Sequence, residues 1–77
     1  MRAYTLYANK MPLGVIEWPR VPGWEEVLEA LIIRGDLIGL RSDIYECFYV
    51  HHSENNGLHV VFRETQKPVF RLEPLIG

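Results

Sequence analysis

Trp24-Glu25-Glu26-Val27-Leu28-Glu29-Ala30-Leu31-Ile32-Ile33-Arg34 is the stretch that decides the fold. Trp24, Val27, Leu28 and Leu31 fall at the i, i+3, i+4, i+7 spacing of a buried helical stripe, and Ile32 widens it. Glu25 and Glu26 stand in the first turn and Arg34 in the last, where each complements the helix dipole. Gly35 follows as a natural residue to end the helix. Ile33 is the anomaly, one turn beyond Glu29 on the face expected to be wet.

Upstream, Pro19-Arg20-Val21-Pro22-Gly23 cannot continue a central strand, so it is a connection. Before it the chain reads as a hairpin. Arg2 to Ala8 and Leu13 to Trp18 are β-prone, with Asn9-Lys10-Met11-Pro12 as the turn and Pro12 outside both strands. Trp18 and Trp24 flank the proline segment and are expected to staple the helix to this hairpin.

Downstream the patterns turn strand-like again. Asp36 to Arg41 is a short strand, Ile44 to His52 a long one, Leu58 to Glu64 a third and Val69 to Glu73 the last. Turns fall at Ser42-Asp43, Ser53 to Gly57 and Thr65 to Pro68. The expected architecture is α+β in the order ββαββββ: a small antiparallel sheet of five to six strands packed on one central helix. At 77 residues the chain is expected to form a single α+β domain over 1–77.

The loop after Ile44–His52 decides which side chains share a face. A three-residue loop, Asn55-Asn56-Gly57 with Gly57 left-handed, pairs even positions with even ones. Phe48, Val50, His52, Leu58, Val60 and Phe62 then form a coherent apolar face. Glu46 is its misfit, which a nearby bulge would rotate out. The opposite face carries Tyr45, Cys47, Tyr49, His51, His59, Val61 and Arg63, with Tyr49 across from Arg63, His51 across from Val61 and the two histidines diagonal. A wet sheet face normally alternates towards charged and small polar residues, and this one does not. One helix covers one face, so the second is exposed, folded over by the sheet itself or occupied by a partner. Tyr and Arg are enriched in interface cores, yet a strongly coiled sheet can also bury such a face with Tyr hydroxyls at its rim.

Composition narrows the function classes. The net charge of −2 lacks the basic excess with which nucleic-acid binders neutralise phosphates. Cys47 is the sole cysteine, which points to a reducing, cytoplasmic setting rather than a disulfide-stapled secreted domain. The start of the chain lacks the apolar run of a signal peptide, and no stretch is apolar for long enough to suggest a membrane span. His51 and His52 point to opposite faces of a strand, and His51 with His59 lacks a third ligand, so these are expected to be hairpin-rim residues without metal. Nothing cationic adjoins Cys47 to activate it as a nucleophile. The glycines are dispersed, so no phosphate-binding loop is present.

The first expectation is therefore a non-catalytic binding module of inhibitor or adaptor type, needing no cofactor. It would dock on a protein partner or on a second copy of itself through Tyr45, Tyr49, His51, His59, Val61 and Arg63, or through a sheet edge. The alternative is a nucleic-acid-binding or small ribonuclease-like protein using His51, His59, Tyr49 and Arg63, disfavoured by the charge balance.

Overall fold

A computed structural model of the chain describes residues 1–33 and 44–75. Its elements run β1 (Arg2–Ala8), β2 (Met11–Trp18), α1 (Trp24–Ile33), α2 (Ile44–Cys47), β3 (Phe48–His52), β4 (Leu58–Phe62) and β5 (Lys67–Pro74). The strands form one five-stranded antiparallel sheet in the order β2-β1-β5-β4-β3. The fold is α+β, as expected. The expected strand over Asp36–Arg41, and the helix end at Arg34 and Gly35, lie outside the described residues.

The sequence order conceals the central feature of this sheet. The last strand, β5, inserts between β1 and β4, so that Leu6 pairs with Leu72 and Leu72 with Leu58. These three leucines form a row across the middle of the sheet, and each is fully buried. Val27, Leu28 and Leu31 of α1 join the same buried cluster, which confirms the middle of the expected helical stripe. Burying a leucine completely contributes roughly 1.5–3 kcal/mol, so this row and the helix above it are a major part of the fold's stability. Trp18 and Tyr4 extend the cluster with an edge-to-face contact at 5.7 Å.

The start of α1 has a local cause. The Gly23 carbonyl accepts the first helical bond, from Val27 N–H at 3.2 Å. The Glu26 carboxylate reaches back to accept from Gly23 N–H at 3.1 Å, which is one half of a capping box. Arg20 of the proline segment donates to the same Glu26 oxygen at 2.7 Å. These two bonds hold the Glu26 pKa below its ordinary 4.5, the Arg20 bond more strongly than the Gly23 bond.

Several expectations are corrected. Trp24 leaves the helical stripe: it is 51% exposed and packs edge-to-face on Tyr45 at 5.9 Å, so only Trp18 serves the core. Ile44–His52 is not one strand. Ile44–Cys47 makes a helical turn, and the strand begins at Phe48. Aromatic and β-branched residues dominate that stretch, so its pattern reads as one continuous strand. The turn, rather than a bulge, takes Glu46 out to solvent. Pro12 lies inside β2, opposite Tyr7, where Leu13 is the extra residue of a bulge and Gly14 adopts φ 151°. Because β2 is an edge strand, the missing proline N–H costs no ladder bond. Pro68 likewise lies in β5, beside the second break in register.

Candidate functional site

The β3–β4 loop sets the geometry of the candidate face. Ser53 N–H donates to the Gly57 carbonyl at 2.9 Å and Asn56 N–H to the Ser53 carbonyl at 3.2 Å. The loop therefore spans Glu54, Asn55 and Asn56, three residues as expected but one position earlier. Asn56, at φ 63°, takes the left-handed position expected of Gly57. Gly57 is needed for space instead: a Cβ there would meet the Leu72 carbonyl and Ser53 Oγ at 3.0 Å.

Moving the loop by one residue preserves the division of faces and changes who stands opposite whom. Phe48, Val50, Leu58 and Val60 face the helix side, as expected. His51 pairs directly with His59, not diagonally, and their ring centroids lie 6.2 Å apart. Tyr49 pairs with Val61 rather than Arg63. Arg63 lies just beyond β4, where its N–H donates to the Cys47 carbonyl at 2.8 Å. Its guanidinium nonetheless reaches diagonally over the Tyr49 ring at 5.2 Å. The Tyr49 hydroxyl donates to Gln66 Oε1 at 2.9 Å, and the Gln66 amide donates back to the Arg63 carbonyl at 2.7 Å. Arg63, Tyr49 and Gln66 thus hold one another in place.

Tyr45 does not join this face. It sits on α2 against Trp24, because the helical turn rotates it away from the strand direction that would align it with Tyr49. Val61 is on the face but buried, between Tyr49 on β3 and Pro68 on β5, and lies outside the main core cluster. His52 points to the other side, where it lines a separate cleft of about 320 Å³ with Arg2, Tyr4, Ser53 and Asn56.

The position of β5 adds residues that the sequence pattern did not single out. Arg71 pairs with His59 on one side and with Tyr7 on the other. A single row, Tyr7, Arg71, His59, His51, therefore crosses four strands. The Arg71 guanidinium lies over the Tyr7 ring at 5.1 Å, pairs with Glu73 at 3.1 Å and donates to the Asn9 carbonyl at 3.2 Å. Arg71 stands two residues from Glu73 in VFRLE, a same-face spacing, but only knowledge of the strand order could have put it beside His59. Among the described residues, no element lies over this face of the sheet, and its members apart from Val61 are half-buried or exposed. No three of His, Cys, Asp and Glu come together as metal ligands among the described residues. No described helix is long and apolar enough to cross a membrane. Comparison with protein-family models, with curated proteins and with solved structures yields no match.

Proposed function

We propose that the chain is a non-catalytic binding module that docks on a protein through the open face of its sheet. The carrying observation is the row Tyr7, Arg71, His59 and His51 beside the Arg63–Tyr49–Gln66 cluster. Both arginines are stacked on tyrosine rings, so little side-chain freedom is lost when a partner meets them. Large amphipathic rings with fixed guanidinium groups are the groups enriched at the energetic centre of protein interfaces.

The test is affinity capture from the native cells with wild type, Tyr49→Ala and His59→Ala side by side. The expected outcome is a stoichiometric protein partner that both variants lose while their melting temperatures fall by only a few degrees. Retention of the partner by both variants would sink the reading. Collapse of stability would show the face to be core.

One observation favours single-stranded nucleic acid as a second reading. Glu25, Glu26 and Glu29 belong to the helix, while on the open face Arg63 and Arg71 offset Glu17 and Glu73, so that face is less acidic than the net charge of −2 implies. Tyrosine rings on such a face can stack on bases. Binding to labelled oligonucleotides that weakens steeply with added salt would select this reading over a protein partner.

A further inference from the structure

We propose that the outer edge of β3, with the cleft that Trp24, Tyr45, Tyr49 and Arg63 build around it, docks an extended peptide segment of another protein. The segment adds as a strand, seats an apolar side chain in the cleft and places a carboxylate on Arg63. This rests on the protein-docking reading above and specifies the chemistry of the partner.

The backbone is prepared for such a strand. Arg63 N–H bonds to the Cys47 carbonyl and Ser53 N–H to the Gly57 carbonyl, so odd-numbered residues of β3 face β4 in the ladder. By the alternation of an antiparallel pair, the N–H and C=O groups of Phe48, Val50 and His52 point outward. Among the described residues β3 has no neighbour on that side. The opposite edge shows what protection looks like. There β2 carries Pro12, a bulge at Leu13, the unusual φ of Gly14 and an exposed Glu17. Proline, bulges and charges are the usual devices against strand addition, and Phe48-Tyr49-Val50-His51-His52 has none of them.

The side chains around that edge specify the occupant. Trp24, Tyr45, Phe48, Tyr49, Val50 and Arg63 line a cleft of about 210 Å³, room for one large apolar side chain. Trp24 and Tyr45 form its wall, and both remain substantially exposed. Arg63 stands at the rim. Arg20 and Arg71 are each paired with a carboxylate, whereas the Arg63 guanidinium has no ion pair or hydrogen bond among the described residues. It lies over the Tyr49 ring with no carboxylate on its donors among the described residues, which suits a carboxylate of the incoming chain. A second copy of this protein fits less well. Antiparallel pairing of two β3 strands about Val50 would bring polar His52, Ser53 and Glu54 against the aromatic wall.

The experiment selects peptides from a displayed random library on the full chain and measures the enriched peptides by fluorescence anisotropy. They are expected to share an apolar residue with a nearby Asp or Glu. Their affinity should fall about 30-fold on Trp24→Ala, as for a central interface anchor. Arg63→Glu should cost about tenfold or more and shift selection towards Lys-containing peptides. Val50→Pro removes an outward N–H without touching the β4 ladder and should abolish binding. If circular dichroism shows the proline variant to be unfolded, Trp24→Ala, at an exposed position, decides the same question with the fold intact. Glu17→Ala, exposed on the opposite edge strand β2, should leave peptide binding unchanged. Peptides that bind Trp24→Ala and Arg63→Glu as well as wild type would overturn the proposal, as would a selection with no enrichment. A dimer in light scattering that Trp24→Ala leaves intact and Val50→Pro dissociates would replace it with self-pairing. A cellular partner lost with His59→Ala but retained by Trp24→Ala would overturn the edge site while leaving the open-face reading standing.

Discussion

At the scale of single residues, Gly57 and Asn56 exchange the roles that sequence preference assigns them. A glycine after Asn-Asn reads as the left-handed residue of the turn, yet Asn56 takes that conformation at φ 63°. Gly57 is held by the close approach of the Leu72 carbonyl, a backbone atom that cannot swing aside. Gly57→Ala is therefore expected to cost about 1–3 kcal/mol, the range for forcing extra atoms into a packed site. Asn56→Gly is expected to stay within about 1 kcal/mol of wild type, since relief of the left-handed strain offsets the added chain entropy. Urea midpoints of the two variants check the contrast, and equal losses would show that Gly57 acts through conformation after all. Tyr45 and Arg71 make the same point for the site. Neither was legible as a neighbour from the sequence, because one depends on a single helical turn and the other on a strand arriving from the far end of the chain.

At the scale of elements, α1 was the most readable part of the molecule, and the bonds at its N-terminus depend on the charge of Glu26. Glu26 receives bonds from Arg20 and from Gly23 N–H, and its pKa lies below the ordinary 4.5. Because the folded value is the lower one, the contribution to stability is fully present above about pH 4.5 and is lost as pH falls through the folded value. Glu26→Gln keeps an acceptor for Gly23 but loses the charge. Its stability deficit relative to wild type is expected near neutral pH and should shrink to nothing under strongly acidic conditions, as followed by denaturant midpoints across a pH series. A deficit unchanged at low pH would mean that the carboxylate charge is not its cause. The inner face of the same helix behaves differently. Leu28→Ala is expected to cost about 2–5 kcal/mol, since Leu28 is fully buried in the same core cluster as the leucine row. The helix period also misled at one point, for Trp24 keeps the spacing of the stripe yet packs outward on Tyr45.

At the scale of the whole molecule, the two faces of the sheet carry different obligations. Even-numbered residues on the helix side hold the fold, while the row of Tyr7, Arg71, His59 and His51 lies where no described element covers it. A His51→Ala, His59→Ala double variant is accordingly expected to shift stability by less than about 1 kcal/mol, in contrast to Leu6→Ala on the other side at about 2–5 kcal/mol. Thermal unfolding of the two proteins measures the difference, and comparable losses would show the open face to be part of the core. By itself the sequence determined what repeats locally: the helix by its 3.6 period, the hairpins by their turn residues, and the division of β3 and β4 into two faces by the odd length of one loop. Those signals depend on neighbours a few residues away, where chain geometry leaves few choices. Only the tertiary structure decided that β5 lies between β1 and β4, and hence that Arg71 stands beside His59, and that β2 and β3 are the edge strands among the described residues, with proline and a bulge in β2 alone. Strand order is set by which apolar rows bury one another best across the whole sheet, and the leucines at 6, 58 and 72 meet only when the distant ends of the chain come together.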